Sequence, residues 1–194
     1  MDSIAPTGPK NLMCPNGMAS AHTTAEMSFE ADTLIPTGTW SVWYHSPTES
    51  RWTPSTFSQI GSFGTFGEFW ALQDHLTDEA LLNGFFFLMR DPLPPLWENK
   101  ANIRGGSYSM RISRKDAADV YYKYMLAAML GQAATDAGNK INGICISPKK
   151  GFNIITIWNE DFAAFQEATD IPLFGATMVT EDIRYTRHVD KKFN

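Results

Sequence analysis

The chain has 194 residues, of which 43% are hydrophobic and 13% are aromatic, and its formal net charge is −5. This length and apolar content predict one folded domain with a sizeable core. The excess of acid excludes a protein that coats long nucleic acids by neutralising phosphates, but it leaves open the binding of one terminal nucleotide by stacking.

Residues 1–33 are predicted to form a flexible N-terminal tail, and residues 34–194 the folded domain. The first segment mixes Pro, Gly, Ser, Thr and Asn without a Trp, a Tyr or a sustained hydrophobic period. It lacks the pattern of a signal peptide, and no run of 18 apolar residues occurs in the chain, so we expect neither secretion nor a membrane span. Cys14 and Cys145 lie far apart, which favours two reduced thiols in a cytosolic protein.

The first predicted elements are two strands and a helix. Trp40–His45 alternates like a strand, and Gln59–Phe63 is predicted to form a second one. A capping box at Thr65 predicts a helix that begins at Phe66. Trp70 lies off the apolar stripe of this helix, which indicates either a half-buried edge residue or a docking anchor.

The middle of the chain adds two strands and a long helix. Gly84–Arg90 is almost continuously apolar, so both faces of this strand should be covered. A proline-rich segment then leads into Trp97, and a strand over Ser107–Ile112 follows. Apolar residues surround the axis of the helix predicted over Asp116–Ala134, so this helix should bury more than one face.

The last part of the chain is predicted to return to β-structure. Asn142–Ser147 and Asn153–Trp158 form a hairpin around a basic, glycine-containing turn. A short helix is expected over Glu160–Ala168, and weaker strands near Ala176–Thr180 and Tyr185–Val189. Closely spaced strands interrupted by three helices predict an α+β fold with a mostly antiparallel sheet.

Trp97 is followed directly by Glu98, and this pair suggests recognition of a planar cationic ring. The indole face attracts positive charge, and the carboxylate accepts hydrogen bonds from N–H groups. The four histidines lie in no zinc-binding pattern, and no G-x-S-x-G nucleophile motif occurs. We therefore expect a binding protein without metal or cofactor rather than an enzyme, with a Ser/His/Asp arrangement assembled in space as the alternative.

Five short motifs occur in order at suitable spacings. They are Trp40-x-x-Trp43, Phe69-Trp70-Ala-Leu72, Pro95-Leu96-Trp97-Glu98, Arg104-Gly105-Gly106 and Ile155-Thr156-Ile157-Trp158. Together they resemble the eukaryotic translation initiation factor 4E family, the mRNA cap-binding proteins. The resemblance implies a single α+β domain with a curved, mostly antiparallel sheet of about eight strands and three α-helices on its convex face.

The resemblance also implies a binding site for the N7-methylguanosine cap of mRNA. The methylated base would stack between Trp52 and Trp97, and Glu98 would accept hydrogen bonds from the guanine edge. Trp158 would lie near the methyl group. Methylation at N7 gives guanine a delocalised positive charge, which suits two indole faces and a carboxylate.

The same resemblance places Lys149, with Lys150 beside it, at the phosphates of the cap. Two other positions depart from the family pattern, because Ser107 stands where an arginine is expected and Ile154 where a lysine is expected. The sequence therefore predicts either a weaker affinity, a differently modified cap, or compensation by basic residues near the C terminus. The candidates for compensation are Arg187, Lys191 and Lys192.

On the helix side, the resemblance implies a groove for a partner helix with the pattern Tyr-x-x-x-x-Leu-hydrophobic. Trp70 matches the anchor of this groove. Lys123 and Tyr124 depart from the pattern, since an apolar residue and an acid are expected there. The expected partner is a scaffold initiation factor or a 4E-binding repressor protein, bound by a monomer of this chain. The other residues expected to line the groove are Phe66, Leu130 and Gly131.

These features predict a cytoplasmic protein, with the nucleus as a second compartment, that acts in translation initiation or its regulation. Three other functions stay open at this stage. The chain could be a repressor or interaction module with weak cap affinity, a general binder of modified nucleotides or single-stranded RNA, or, least favoured, a small-molecule hydrolase.

Overall fold

The computed structural model describes residues 30–135, 138–164, 167–175 and 178–191, and within these residues seven strands form one antiparallel sheet. The strands are β1 (Trp40–His45), β2 (Phe57–Phe63), β3 (Phe85–Arg90), β4 (Gly106–Ser113), β5 (Ile141–Lys149), β6 (Phe152–Asn159) and β7 (Arg184–Arg187). Their order across the sheet is β2-β1-β3-β5-β6-β4-β7. The chain therefore has the predicted α+β class and antiparallel pairing.

In the same residues, three α-helices pack on one side of the sheet. They are α1 (Phe66–Gln73), α2 (Asp78–Asn83) and α3 (Arg114–Met129). α1 begins where the Thr65 hydroxyl accepts a hydrogen bond from the Glu68 N–H at 3.2 Å, while the Glu68 carboxylate accepts from the Gly64 and Thr65 N–H groups. This capping box confirms the predicted start of α1. Within the described ranges, the helices are too short or too polar to span a lipid bilayer.

Alternation along the strands divides the buried apolar side chains between two clusters. The main core lies between the sheet and the helices, and it includes Trp40 of β1, Leu88 of β3 and Tyr121 of α3. The second cluster lies on the opposite side of the sheet, and no residue of a described helix belongs to it. We call this opposite side the open face. β3 contributes to both clusters, which confirms that both of its faces are covered.

The residues before β1 are tied to the start of α1. The Phe66 N–H donates to the Thr33 carbonyl oxygen at 3.0 Å, and the Gly67 N–H donates to the Ala31 carbonyl oxygen at 2.7 Å. Of the predicted tail, residues 1–29 lie outside the described residues, whereas residues 31–33 form a short segment against α1. We call residues 31–33 the N-terminal strap.

The helices differ from the prediction in identity and length. α2 was not predicted, although the Thr77 hydroxyl caps it by accepting from the Ala80 N–H at 3.2 Å. α3 ends at Met129, earlier than expected. The helix expected over residues 160–168 is instead the 3-10 turn Phe162–Ala164 and the start of a second one, Ala168–Asp170, while residues 165–166 lie outside the described residues.

The C-terminal strands differ from the prediction as well. The strand expected near residues 176–180 is wrong where it can be checked, because Thr180–Asp182 is a 3-10 turn and only residues 176–177 lie outside the described part. The last predicted strand is β7, but it ends at Arg187. The chain then turns at His188–Asp190, which buries His188 against β4. The sheet consequently has seven strands in the described residues rather than about eight.

Candidate functional site

The open face brings together three of the tryptophans that the sequence analysis selected. Trp158 is buried in the centre of the second cluster, and Trp97 packs at the edge of this cluster. Trp52 reaches the same cluster through Phe85, whose ring centroid is 5.1 Å from that of Trp52, and through Phe57 at 5.9 Å. These aromatic side chains form one continuous surface on the side of the sheet away from the helices.

Trp52 is backed by a histidine. His45, the last residue of β1, is fully buried, and its ring lies parallel to the Trp52 ring with a centroid distance of 3.9 Å and an interplanar angle of 5°. The His45 Nε2 atom is 2.8 Å from the Arg51 carbonyl oxygen, so it donates its proton there. Trp52 nevertheless remains 46% exposed. One face of this indole is therefore fixed by the protein, and the residue still offers surface to a ligand.

The loop that carries Trp97 and Glu98 is organised by a buried amide. The Asn102 Nδ2 group donates to the Pro94 carbonyl oxygen at 2.9 Å and to the Leu96 carbonyl oxygen at 3.0 Å. Glu98 is partly buried, and its carboxylate forms no ion pair or hydrogen bond with another described residue. A carboxylate held beside an indole without a protein partner can accept hydrogen bonds from a ligand.

Lys191 lies beside Trp158, where it is the first donor in a series of hydrogen bonds that all run in one direction. Its Nζ atom donates to the Ser107 Oγ atom at 2.9 Å and lies 5.5 Å from the centre of the Trp158 ring. Ser107 Oγ is 2.8 Å from the Nε2 atom of His188, whose Nδ1 atom is 2.6 Å from the Asn102 carbonyl oxygen. A carbonyl can only accept, so Nδ1 carries the proton, Nε2 accepts from the Ser107 hydroxyl, and the hydroxyl oxygen accepts from Lys191.

The pKa shifts of His188 and Lys191 agree with the direction of these hydrogen bonds. Burial lowers the pKa of His188 to about 4, and the nearby Lys191 amine acts in the same direction, so the imidazole is neutral near pH 7. Burial also lowers the pKa of Lys191. The Ser107–His188 pair is the closest approach to the Ser/His/Asp alternative. Both side chains are fully buried and a backbone carbonyl stands in the place of the acid, so the pair positions Lys191 rather than exposing a nucleophile.

The residues predicted to contact the phosphates of the cap lie at the end of the open face formed by the turn between β5 and β6. Lys149 closes β5 and Lys150 begins the turn to β6; both are exposed and neither forms an ion pair with a described residue. Burial raises the pKa of the Cys145 thiol to about 12, and the Lys191 and Lys149 amines oppose this shift. Both amines therefore act on the open face. Of the other candidates, Arg187 is engaged by Asp190 at 2.7 Å, and Lys192 lies outside the described residues.

On the helix side, the structure exposes part of the predicted groove. Trp70 of α1 is 49% exposed, and Leu130 and Gly131 lie at the accessible end of α3. Leu34 is 75% exposed and pairs with Thr65 at the start of α1. These residues provide an apolar surface on the helices, on the opposite side of the sheet from Trp97.

Two residues of the expected groove need correction. Phe66 is only 1% exposed and belongs to the main core, because its position in the first turn of α1 points it at the sheet. Tyr124 is fully buried as well, where its hydroxyl donates to the Pro172 carbonyl oxygen at 2.7 Å and its ring packs on Phe174. Lys123 stays exposed and pairs with Asp119. The surface at this point of α3 therefore differs from the expected apolar–acidic pair.

Sequence reasoning also missed the support residues of the open face. His45 and Phe85 could have been found from their alternate positions on the strands that carry Trp43 and Phe87, whereas Phe57 begins β2, two residues before the predicted start of that strand. The contact between Ser107 and His188 joins residues 81 positions apart, and no local sequence pattern predicts it. Among the described residues, no group of three or more His, Cys, Asp or Glu side chains is placed to hold a metal ion.

Comparison with known proteins gives a consistent result. The model of the family described as "Eukaryotic initiation factor 4E" matches residues 37–193. A curated relative, the eukaryotic translation initiation factor 4E of Saccharomyces cerevisiae, is 28% identical over 158 residues, which cover 78% of this chain and 74% of the yeast protein. Two further curated relatives are each matched over 60% of their own length.

Solved structures show the same fold. Ascaris suum eIF4E-3, crystallised with the m7G cap, matches with a TM-score of 0.63 and 19% identity over 84% of this chain and 95% of that one. Caenorhabditis elegans eIF4E-3, in complex with the 4E-binding protein Mextli, also gives a TM-score of 0.63, with 20% identity over 81% of this chain and 94% of that one.

Proposed function

Since the chain belongs to the eukaryotic initiation factor 4E family, we propose that it binds the N7-methylguanosine cap of mRNA on its open face and a partner protein on its helix side, in translation initiation or its regulation. It acts as a binding protein rather than an enzyme. The cytoplasm is its proposed compartment, with the nucleus as a second one, and residues 34–194 are the proposed binding domain.

The observation that carries this proposal is the pairing of Trp97 with an unpartnered Glu98 beside a cluster of aromatic rings. A partly exposed carboxylate without an ion-pair partner among the described residues is available to accept hydrogen bonds from a ligand. N7-methylguanine offers both a flat cationic ring and N–H donors on its base-pairing edge. The base would stack on Trp97 and on the exposed part of Trp52, and Glu98 would accept the N–H groups.

The energies involved are sufficient for a specific complex. Stacking of a base on an aromatic side chain contributes about 1–3 kcal/mol, and hydrogen bonds to a charged group contribute about 1.5–3 kcal/mol each. Two indoles and one carboxylate can therefore approach the roughly 8 kcal/mol of a micromolar complex. Unmethylated guanine is neutral, so it would lose the cationic part of the attraction.

Lys191 and Lys149 are the proposed phosphate contacts. The Ser107 hydroxyl, at a position where the family pattern has an arginine, accepts a hydrogen bond from Lys191 and so holds a cation of the C-terminal segment over the Trp158 ring. Lys149 and Lys150 supply a second positive group at the end of β5. This arrangement would compensate for the arginine that is missing at Ser107, whereas no residue would replace the lysine that is missing at Ile154.

The test is a calorimetric titration of the protein with N7-methylguanosine triphosphate and, separately, with unmethylated GTP. The methylated nucleotide should bind at least about tenfold more tightly, and Trp97→Ala should abolish most of this binding. Trp70→Ala is the matched control, because it removes an equally large, half-exposed indole from the helix side. Equal affinities for the two nucleotides would replace cap recognition by general nucleotide binding.

The helix-side surface is proposed to bind a helix with the pattern Tyr-x-x-x-x-Leu-hydrophobic. Trp70 supplies an exposed indole, and Leu34, Leu130 and Gly131 would surround it. A scaffold factor bound here would promote initiation, whereas a repressor protein bound here would block it. Copurification of partners with the wild-type chain and with Trp70→Ala would identify which class binds.

A further inference from the structure

The open face continues beyond Trp158 toward the turn between β5 and β6. The strand register aligns Cys145, Thr156 and Ser109 in one row, and Ser147, Ile154 and Arg111 in the next. Because side chains alternate along a strand and the intervening residues pack in the main core, these rows face away from the helices. A third row, Lys149, Phe152 and Ser113, ends the surface.

We call this surface the open-face track; it consists of the three rows and Arg184 of β7, which pairs with Ser109. The track carries three basic residues, several hydroxyl groups and no carboxylate. Lys149, Arg111 and Arg184 form no ion pair with any described residue. In an acidic chain with a net charge of −5, this local excess of unpaired positive charge favours an anionic ligand.

Arg111 and Phe152 add a stacking surface to the track. The guanidinium carbon of Arg111 lies 3.9 Å from the centre of the Phe152 ring, so the cation covers the ring. Arg111 is exposed and Phe152 is partly exposed. Nucleobases stack on arginine planes as well as on aromatic rings, and the same guanidinium can contact a phosphate.

We propose that the open-face track binds the RNA chain that continues from the capped nucleotide. This inference rests on the proposed function, which places the cap base at Trp52 and Trp97 and the cap phosphates beside Trp158. Arg111 and Arg184 contact backbone phosphates beyond the cap phosphates that Lys149 meets, and one base stacks on the Arg111–Phe152 pair. β6 rises about 3.3 Å per residue, so the path from Trp158 to Phe152 is about 20 Å long and accommodates several nucleotides.

The chemistry of the track favours RNA over an acidic peptide. A peptide carboxylate would use the cations but would leave the Arg111–Phe152 platform without a stacking partner. Single-stranded RNA uses both, since it alternates phosphates with planar bases, and the hydroxyl groups of Ser109, Thr156 and Ser147 can donate to phosphate or ribose oxygens. The acids nearest in sequence to the ends of the track are Asp116, which accepts from Ser113, and the Glu181–Asp182 pair before β7.

The test compares a capped oligoribonucleotide of about eight nucleotides with N7-methylguanosine triphosphate. The wild-type chain should bind the oligonucleotide at least about tenfold more tightly, with a steeper salt dependence that grows by about 0.7 per contacted phosphate. Arg111→Ala and Phe152→Ala should each remove most of this advantage and leave the affinity for the triphosphate unchanged. Arg111→Lys should keep the salt dependence but lose the stacking part. Lys115→Ala, an exposed charge on α3, is the matched control.

The outcomes separate the two proposals. If the wild-type chain binds the triphosphate and the oligonucleotide equally tightly, the track is not an RNA site although cap binding stands. If it binds neither, the proposed function itself fails. If Phe152→Ala weakens both ligands in parallel, Phe152 supports the cap site or the fold, and the track proposal is overturned. Displacement of the oligonucleotide by a polyglutamate peptide at equal charge would also overturn it, in favour of an acidic protein segment.

Discussion

At the scale of single residues, Lys191 is the side chain whose role the structure changes most. Alone in the C-terminal segment it would be a solvated lysine, but Ser107 and the Trp158 ring hold its amine on the open face. We predict that Lys191→Met weakens binding of N7-methylguanosine triphosphate by about tenfold, because it removes a charge-assisted contact of about 1.5–3 kcal/mol. Binding of the N7-methylguanosine nucleoside, which has no phosphate, should be unchanged in the same calorimetric titration.

The nucleoside distinguishes a phosphate contact from a packing role. If Lys191→Met weakens both ligands equally, then Lys191 acts by supporting Trp158 and not by meeting phosphate. Lys115→Met on α3 controls for the loss of one positive charge. Because burial lowers the pKa of Lys191, the preference for the triphosphate should also fade as the pH rises toward that lowered pKa.

His188 gives a prediction for stability against pH. Burial lowers its pKa from 6.5 to about 4 in the folded chain, so between these values the unfolded chain binds a proton that the folded chain does not. The contribution of neutral His188 to the free energy of unfolding is therefore fully present above pH 6.5. It is lost as the pH falls toward 4, and the loss is at most about 3 kcal/mol. Carboxylates titrate in the same range, so the measurement is a difference between wild type and His188→Gln.

Denaturant unfolding at several pH values should show the two free energies of unfolding converging as the pH falls from 7 to 4. A constant difference over this range would mean that folding does not lower the pKa of His188, so that His188 would be protonated in the folded chain below about pH 6.5. Protonation would also reverse the hydrogen bond to Ser107, since Nε2 would then donate, and the neighbouring Lys191 amine would face a second positive charge.

Residues that act beside their sequence neighbours were predictable, and residues that meet across the sheet were not. Trp97 and Glu98 are adjacent in the chain, so their pairing could be inferred from chemistry alone. The angle of Trp70 on α1 predicted that it lies off the buried stripe, and the structure leaves it 49% exposed. The Ser107–His188 contact depends on the pairing of β4 with β7, which no local pattern specifies.

At the scale of elements, the junction of α1 with the N-terminal strap decides a substitution that helix propensity alone would misjudge. Alanine is favoured over glycine inside a helix by about 0.5–1 kcal/mol. At Gly67, however, an added Cβ would lie 2.5 Å from the Ala31 carbonyl oxygen. This atom belongs to the backbone and accepts the hydrogen bond of the Gly67 N–H, so it cannot move away without losing that bond.

We therefore predict that Gly67→Ala lowers the free energy of unfolding by about 1–3 kcal/mol, in the range of an overpacked core site. Gly64→Ala, one residue before the helix cap, is the control, because its added Cβ would meet only the Thr39 hydroxyl at 3.4 Å. Thermal and urea unfolding measure both. A Gly67→Ala chain as stable as wild type would show that the strap is released from α1 at little cost.

Element prediction succeeded where periodic patterns were long and failed where the elements were short. β1 and β3 carry sustained apolar patterns and lie close to their predicted bounds, and α3 begins close to its predicted start although it ends five residues early. α2 has only six residues, too few for a helical period, although Thr77 and the acids after it are helix-start signals. Between β6 and β7, the regular structure of the described residues consists of 3-10 turns, whose three-residue length has no periodic pattern.

At the scale of the whole molecule, the sheet separates the two proposed binding surfaces. The class of the fold followed from the sequence of strands and helices, but the strand order did not. It requires β1 to pair with β3 and β4 with both β6 and β7, which are contacts between distant segments. The consequence of this order is that the tryptophans divide between sides: Trp52, Trp97 and Trp158 lie on the open face, and Trp70 lies on the helices.

This separation predicts that the two binding events are independent. Trp70→Ala should abolish binding of a Tyr-x-x-x-x-Leu-hydrophobic peptide and leave the affinity for N7-methylguanosine triphosphate unchanged, and Trp97→Ala should do the reverse. In the double variant, the changes in binding free energy should add within about 0.5 kcal/mol, as expected for distant sites without shared contacts. The reciprocal titration, peptide binding with and without saturating cap analogue, should give the same affinity within this margin.

A coupling larger than that would require the sheet to change between two states, because a ligand on one side can influence the other only through a difference in affinity for such states. If instead Trp70→Ala weakens both ligands, its indole supports the fold through Phe69, whose ring is 5.0 Å away, and the docking role on the helix side is wrong.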